Sequence, residues 1–243
     1  MRLGVRLLPS AVREEEVEGR VAVVIDVIRF STSVLAALEA GAAEVRTAPS
    51  PGEAARLADG LGRSEVLLCG EVGGKPIEGW DLGNSPRELA SGRVAGRTLV
   101  YSTTNGTRAL ERVRGAERVL VACFRNLGAV ARRVRELGAP ALLVCAGRDD
   151  RVGLDDAWCA GLLADRLAEE EARPELDDGA RVAVAASRSL GTPDRDALAA
   201  TGAGAALVRI GYGGDLDVCA EMDRTGAVPV LGESGLVLEG AAA

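Results

Sequence analysis

Short, nearly unbroken apolar runs alternate along this chain with longer stretches in which apolar residues return every three or four positions. The runs Leu3–Leu8, Val21–Ile25, Glu44–Thr47, Val66–Cys69, Thr98–Ser102, Val119–Ala122 and Ala141–Cys145 predict strands covered on both faces. The stretches Ser33–Glu39, Pro51–Leu61, Asn105–Val113, Leu127–Leu137 and Asp155–Glu170 predict amphipathic helices. Such alternation points to an α/β fold, a three-layer α/β/α sandwich around a mainly parallel or mixed sheet. The layout Gly19-Arg-Val-Ala-Val-Val-Ile25, turn, helix returns at Gly96–Ser102 and again at Ala141–Cys145. Every βα unit shares that outline. The sharper expectation is two similar halves around a central cleft, within a single domain over 1–243 whose subdomain boundary would fall near 115–140. In either case polar strand-to-helix turns gather at the carboxyl edge of a sheet, where open α/β folds bind ligands.

Composition narrows the chemistry. The 243 residues are 47% hydrophobic, enough for a sizeable core, and carry a formal net charge of −7. With two each of Trp, Tyr and Phe, the chain lacks both the cationic footprint and the stacking platforms of a nucleic-acid binder. Histidine is absent, which removes Ser-His-Asp and Cys-His nucleophile systems and imidazole-ligated metals. Carboxylates, Arg, hydroxyls, thiols, backbone amides or a bound ion must do the work. Lys75 is the one lysine among 29 basic residues, so cationic contacts fall to guanidinium groups, which grip phosphate, sulfonate or carboxylate in bidentate fashion. The five cysteines, at 69, 123, 145, 159 and 219, are dispersed and read as reduced, buried thiols of a cytoplasmic protein. Neither a signal-peptide pattern nor a run of about 18 apolar residues is present, so no membrane span is expected.

Four turns concentrate the polar residues. The first is Asp26-Val-Ile-Arg29-Phe-Ser31-Thr32-Ser33. A carboxylate at a buried strand end can hold a cation, Arg29 can reach an anion, and the hydroxyls can cap the following helix; an Asp there also simply closes a turn. The aspartyl-phosphatase pattern needs a second Asp two residues on, and position 28 is Ile. The second, Gly70–Pro86, is too rich in Gly for a regular element; it offers Glu71, Asp81 and Asn84 as oxygen donors, and Ser85-Pro86 opens a helix. The third, Ser102-Thr103-Thr104-Asn105-Gly106-Thr107-Arg108, lets backbone amides approach phosphate oxygens while Arg108 neutralises one, without being a Walker A motif. In the fourth, Cys145 and Arg151 match the C-x5-R spacing of cysteine phosphatases, although Asp149 and Asp150 would repel phosphate. Asp155 and Asp156, at a helix start, are metal ligands or cap charges. Asp215-Leu-Asp217 has the aspartyl-phosphatase spacing but follows a Gly-rich turn instead of a strand, and is set aside.

Taken in order, these blocks resemble the 2-phosphosulfolactate phosphatase (ComB) family. The resemblance is carried by Val24-Ile-Asp-Val-Ile-Arg29 with its Ser-Thr-Ser helix start, Gly70-Glu71, Gly79-Trp-Asp-Leu-Gly-Asn-Ser-Pro86 and Ser102-Thr-Thr-Asn-Gly-Thr-Arg-Ala-Leu110. Cys145-Ala-Gly147, Asp155-Asp-Ala-Trp-Cys-Ala-Gly161 and Val228-Pro-Val-Leu231 extend it over nearly the whole chain from Val21 onward. The sequence departs from the family pattern at Val72 (often Arg), Trp80 (often Phe) and Phe30 (usually small). The resemblance implies a layered α/β fold and magnesium-dependent hydrolysis of a small anionic phosphomonoester. That ester is 2-phospho-3-sulfolactate, cleaved to 3-sulfolactate and phosphate, a step towards coenzyme M.

Mg²⁺ takes hard oxygen ligands and keeps water. Asp26, Glu71 and Asp156, with Asp155 as a substitute, are therefore the expected metal set. Asp26, Arg29, Arg108 and Asp156 are the expected catalytic groups, the two arginines stabilising charge on the phosphoryl oxygens. Ser31, Thr32, Asn84, Ser85, Thr103, Thr104, Asn105, Gly106 and Thr107 are expected to contact substrate. Two other readings stand beside this one: a metal-free phosphatase using Cys145 and Arg151, and a non-catalytic anion-binding protein. Ala/Val-rich helix faces leave a homo-oligomer, such as a homodimer, open.

Overall fold

A computed structural model describes residues 1–62, 65–169 and 174–239. Its strands are β1 (Arg2–Arg6), β2 (Val21–Ile25), β3 (Glu44–Thr47), β4 (Val66–Val72), β5 (Lys75–Pro76), β6 (Thr98–Ser102), β7 (Arg118–Ala122), β8 (Ala141–Cys145), β9 (Glu175–Leu176), β10 (Pro229–Leu231) and β11 (Leu236–Leu238). The helices are α1 (Phe30–Glu39), α2 (Pro51–Leu61), α3 (Pro86–Leu89), α4 (Gly106–Arg112), α5 (Leu127–Leu137), α6 (Leu154–Glu169), α7 (Asp178–Leu190), α8 (Arg195–Ala199), α9 (Gly202–Arg209) and α10 (Asp215–Cys219). β1 stops before Leu7 because the chain turns into a short 3₁₀ segment opened by Pro9. β4 runs on past Cys69, since Glu71 and Val72 pair antiparallel with Pro76 and Lys75; a hairpin thus stands where composition argues for irregular loop. The expected helix end at Glu170 lies outside the described residues.

One mixed sheet of 11 strands orders these as β5-β4-β6-β3-β11-β10-β7-β2-β8-β1-β9. β4, β6 and β3 are mutually parallel, as are β7, β2, β8 and β1. Between the blocks lie three antiparallel steps, β3 to β11, β11 to β10 and β10 to β7. Three inversions make the blocks run in opposite directions, so a flat sheet would send their carboxyl ends to opposite edges. The sheet is not flat. Adjacent strands twist by about 20–25°, so the five steps from β6 to β2 turn it through roughly 100° or more.

The core follows from that curl. One buried cluster joins Ala22 and Val24 of β2 and Leu142 of β8 to Leu99 and Tyr101 of β6, through Phe30, Val34 and Leu38 of α1 and Ala109 and Leu110 of α4. α1 and α4 therefore fill the inside of the curve. A second cluster covers the other face of β1, β2, β7 and β8 with α5, α6 and α7, and a third seats α2 on β4 and β6. The nearly continuous apolar character of β2 and β8, buried at every residue, is explained by helices on both faces. Among the described residues no helix is long and apolar enough to cross a membrane.

Candidate active site

The curl brings the carboxyl ends of both blocks to one cavity of about 300 Å³. Asp26 comes from the end of β2, Glu71 from β4, Thr103, Thr104 and Asn105 from beyond β6, and Asp155 and Asp156 from the start of α6. Arg29 and Asn84 join the same wall. The Asp26 carboxylate accepts from the Phe30 amide at 3.2 Å, and its own amide donates to Ser31 Oγ at 2.9 Å. Both Glu71 oxygens accept backbone amides, Oε1 from Thr104 at 2.9 Å and Oε2 from Gly74 at 2.5 Å. Asp156 likewise takes the Val27 amide on Oδ1 at 2.8 Å and the Gly147 amide on Oδ2 at 2.9 Å. Asp155 differs, because its Oδ1 is buried and has no hydrogen-bond partner.

Three carboxyl groups so placed resist ionisation. Burial, then the neighbouring Asp155 charge, pushes Asp26 up to about 7. Burial raises Asp155 to about 6, and burial with the charges of Asp155 and Asp26 holds Asp156 well above the usual range. No group of three or more acidic or thiol side chains among the described residues closes around a common metal position. The donor set that fits a hard cation is narrower than the sequence suggests. It consists of Asp26 and Asp155, which line the cavity, Asp26 taking one amide and Asp155 having an unpartnered Oδ1, whereas Glu71 and Asp156 each have both oxygens engaged by amides. One or two carboxylates plus water and substrate oxygens are what Mg²⁺ takes, so these residues fit it.

Arg29 is almost wholly buried, yet it has a counter-charge. Its Nη1 donates to Asp215 Oδ2 at 2.8 Å, its Nη2 to the Gly74 carbonyl at 2.6 Å, and the guanidinium lies 4.9 Å from the Tyr212 ring centre. Asp215 Oδ1 also accepts from Ser85 Oγ at 2.7 Å, so Ser85 ties α3 to α10 and does not line the cavity. Ser31 and Thr32 are fully buried, the latter donating to the Val27 carbonyl at 2.8 Å; they brace the turn from inside. Thr107 is buried against Thr103, and Gly106 packs beneath Phe30. Arg108 is exposed on α4 and does not line the cavity. Cys145 is a fully buried strand residue whose thiol burial raises far out of the reactive range. Arg151 is exposed, and neither it nor Cys145 reaches the cavity, so they form no phosphate cradle.

Residues 6–234 match the model of the 2-phosphosulpholactate phosphatase family. The chain belongs to this family. It is 43% identical to a probable 2-phosphosulfolactate phosphatase of Thermus thermophilus over 234 residues, 95% of this chain and 94% of the relative. A protein of the same description from Deinococcus radiodurans is 41% identical over 95% of this chain and 93% of its own. A third, from Symbiobacterium thermophilum, is 38% identical over 92% and 96%. Membership makes the chain a phosphatase, a phosphoric monoester hydrolase. The family blocks around Asp26, Glu71, Asn84, Thr103 and Asp155 are the ones that meet in the cavity. Sequence reasoning misses Asp215, and it misses the wall that α9 supplies through Ala203, Ala206, Leu207 and Arg209. The one available signal for Asp215 was its acidic spacing, which belongs to a different chemistry.

Proposed function

We propose that this cavity hydrolyses 2-phosphosulfolactate, the ester in the names of the relatives, to 3-sulfolactate and phosphate with Mg²⁺ as cofactor. The supporting observation is the pair Asp26 and Asp155, two carboxyl groups raised by burial, Asp26 also by the Asp155 charge, with one Asp155 oxygen left unpartnered. Such a pair is costly without a cation and well suited to one. When bound, Mg²⁺ polarises a phosphoryl oxygen and lowers the pKa of its water. Asp26 and Asp155 hold it; Glu71 and Asp156, fixed by amides, keep the walls around it rigid. Arg29, clamped by Asp215 and the Gly74 carbonyl, offers its remaining N–H groups to the equatorial oxygens. With no histidine in the chain, the leaving alkoxide takes its proton from a carboxyl group or from water. The product lies on the route to coenzyme M, and five buried free thiols suit the cytoplasm.

Phosphate release from 2-phosphosulfolactate tests this directly. Wild-type turnover is expected with Mg²⁺ and to vanish with EDTA, while Asp26→Asn falls by orders of magnitude with its circular dichroism unchanged. Near-normal turnover by Asp26→Asn, or turnover indifferent to EDTA, would refute the proposal.

A further inference from the structure

The cations around the cavity are unequally committed. Its basic lining residues among those described are Arg29, Arg148 and Arg209. Arg29 is neutralised by Asp215. The Arg148 Nε lies 3.6 Å from the Asp149 carboxylate, and its Nη1 donates to the Gly202 carbonyl at 3.1 Å, tethering the turn after β8 to the start of α9. Arg209, in the last turn of α9, is exposed and has neither an ion pair nor a hydrogen bond among the described residues. Ala203, Ala206 and Ile210 face the cavity at intervals of three and four residues, and Arg209 follows Ala206 by three. The acidic side chains of the lining all come from strand ends, the turn after β8 and the start of α6; α9 brings apolar surface and one unpaired guanidinium.

A substrate with a second anionic group remote from its phosphate needs a second receptor, because the carboxylates at the phosphate end repel it. We propose that Arg209 is a specificity-determining residue that receives the sulfonate, with the aliphatic face of α9 against the carbon body. This rests on the phosphatase reading above. The alternative role for a basic residue at a helix C-terminus is to complement the helix dipole, which would affect stability and leave selectivity alone.

The test compares kcat/KM for 2-phosphosulfolactate and 2-phospholactate, the same ester with hydrogen in place of the sulfonate, in wild type and Arg209→Gln. The preference for the sulfonated ester is expected to fall about tenfold in the variant, mainly through KM. Arg209→Lys should restore only part of it, having the charge without the fork. Equal losses on the two esters, or none on either, would overturn the assignment. Calorimetric titration with 3-sulfolactate gives a second readout independent of turnover: binding about tenfold weaker in Arg209→Gln supports the assignment, and equal binding overturns it. A wild type that binds 3-sulfolactate through Arg209 but hydrolyses neither ester would sink the proposed 2-phosphosulfolactate hydrolysis alone.

Discussion

At the scale of single residues, the arrangement turns on charges removed from water and then answered. The side chains of Arg29 and Asp215 are 3% and 4% exposed, and each is the other's counter-ion. Removing one partner strands the other, so Asp215→Asn is expected to cost about 3–5 kcal/mol in urea unfolding. A loss under about 1 kcal/mol would show that Arg29 finds water or another partner. Asp215 also shows what a sequence conceals: its partner is 186 positions away, and no local pattern announces such a pairing. Asp26 and the polar turn Thr103-Thr104-Asn105 are legible for the opposite reason, since each follows closely on a run of buried apolar residues. Arg108 reads as equally polar, but the turn of α4 carries it outward.

At the scale of elements, close packing between α1 and α4 shapes the inside of the sheet. A Cβ at Gly106 would stand 2.4 Å from the Phe30 ring, which itself meets Tyr101 edge to face at 5.7 Å. Gly106→Ala is therefore expected to overpack this seam and cost about 1–3 kcal/mol, measured by denaturant unfolding. Adding Phe30→Leu should return part of the loss, and strict additivity of the two changes would show that the seam has room elsewhere. The sequence predicts the bounds of β2, β3, β6, β8, α2 and α5 to the residue; β2 and β8 have unbroken apolar runs and α2 and α5 a helical stripe, whereas β3, Glu-Val-Arg-Thr, has one apolar residue. β5, β9, β10 and β11 escape notice because two or three residues carry no periodicity, and neighbouring strands decide their pairing. The wall of α9 escapes for another reason: an Ala/Leu/Ile helix face looks the same whether it meets a core or a cavity.

At the scale of the whole molecule, the N-terminal strand is clasped to the rest by charge. Arg6 pairs with Glu16 and with Asp177, the N-cap of α7, and Arg13 adds a contact to Glu16 at 3.1 Å. Arg6, above all, holds the Glu16 carboxyl at about 2, below its ordinary 4.5. A lowered carboxyl pKa means the unfolded chain takes up the proton first, so this stability is complete above about 4.5 and lost as pH falls towards 2. Solvent around the exposed Arg13 and the partly exposed Asp177 screens the clasp and keeps its size to about 1–3 kcal/mol. Glu16→Gln is expected to lower the melting temperature at pH 7 and to flatten the decline between pH 4.5 and pH 2; an unchanged slope would mean the clasp does not hold β1. The fold class is readable from the sequence because alternation of strands and helices is a local property. The opposed directions of the two strand blocks are not, since they depend on the hairpin of β10 and β11 inserted between β3 and β7.

In the proposed mechanism Asp26 and Asp155 together hold a hard divalent cation where the substrate's phosphate arrives. Calorimetric titration of Mg²⁺ into the protein, in the presence of inorganic phosphate, measures this without relying on turnover. One ion per chain is expected for the wild type, with affinity at least about tenfold weaker in Asp26→Asn and in Asp155→Asn. No uptake by the wild type, or uptake that both variants leave unaltered, would contradict it.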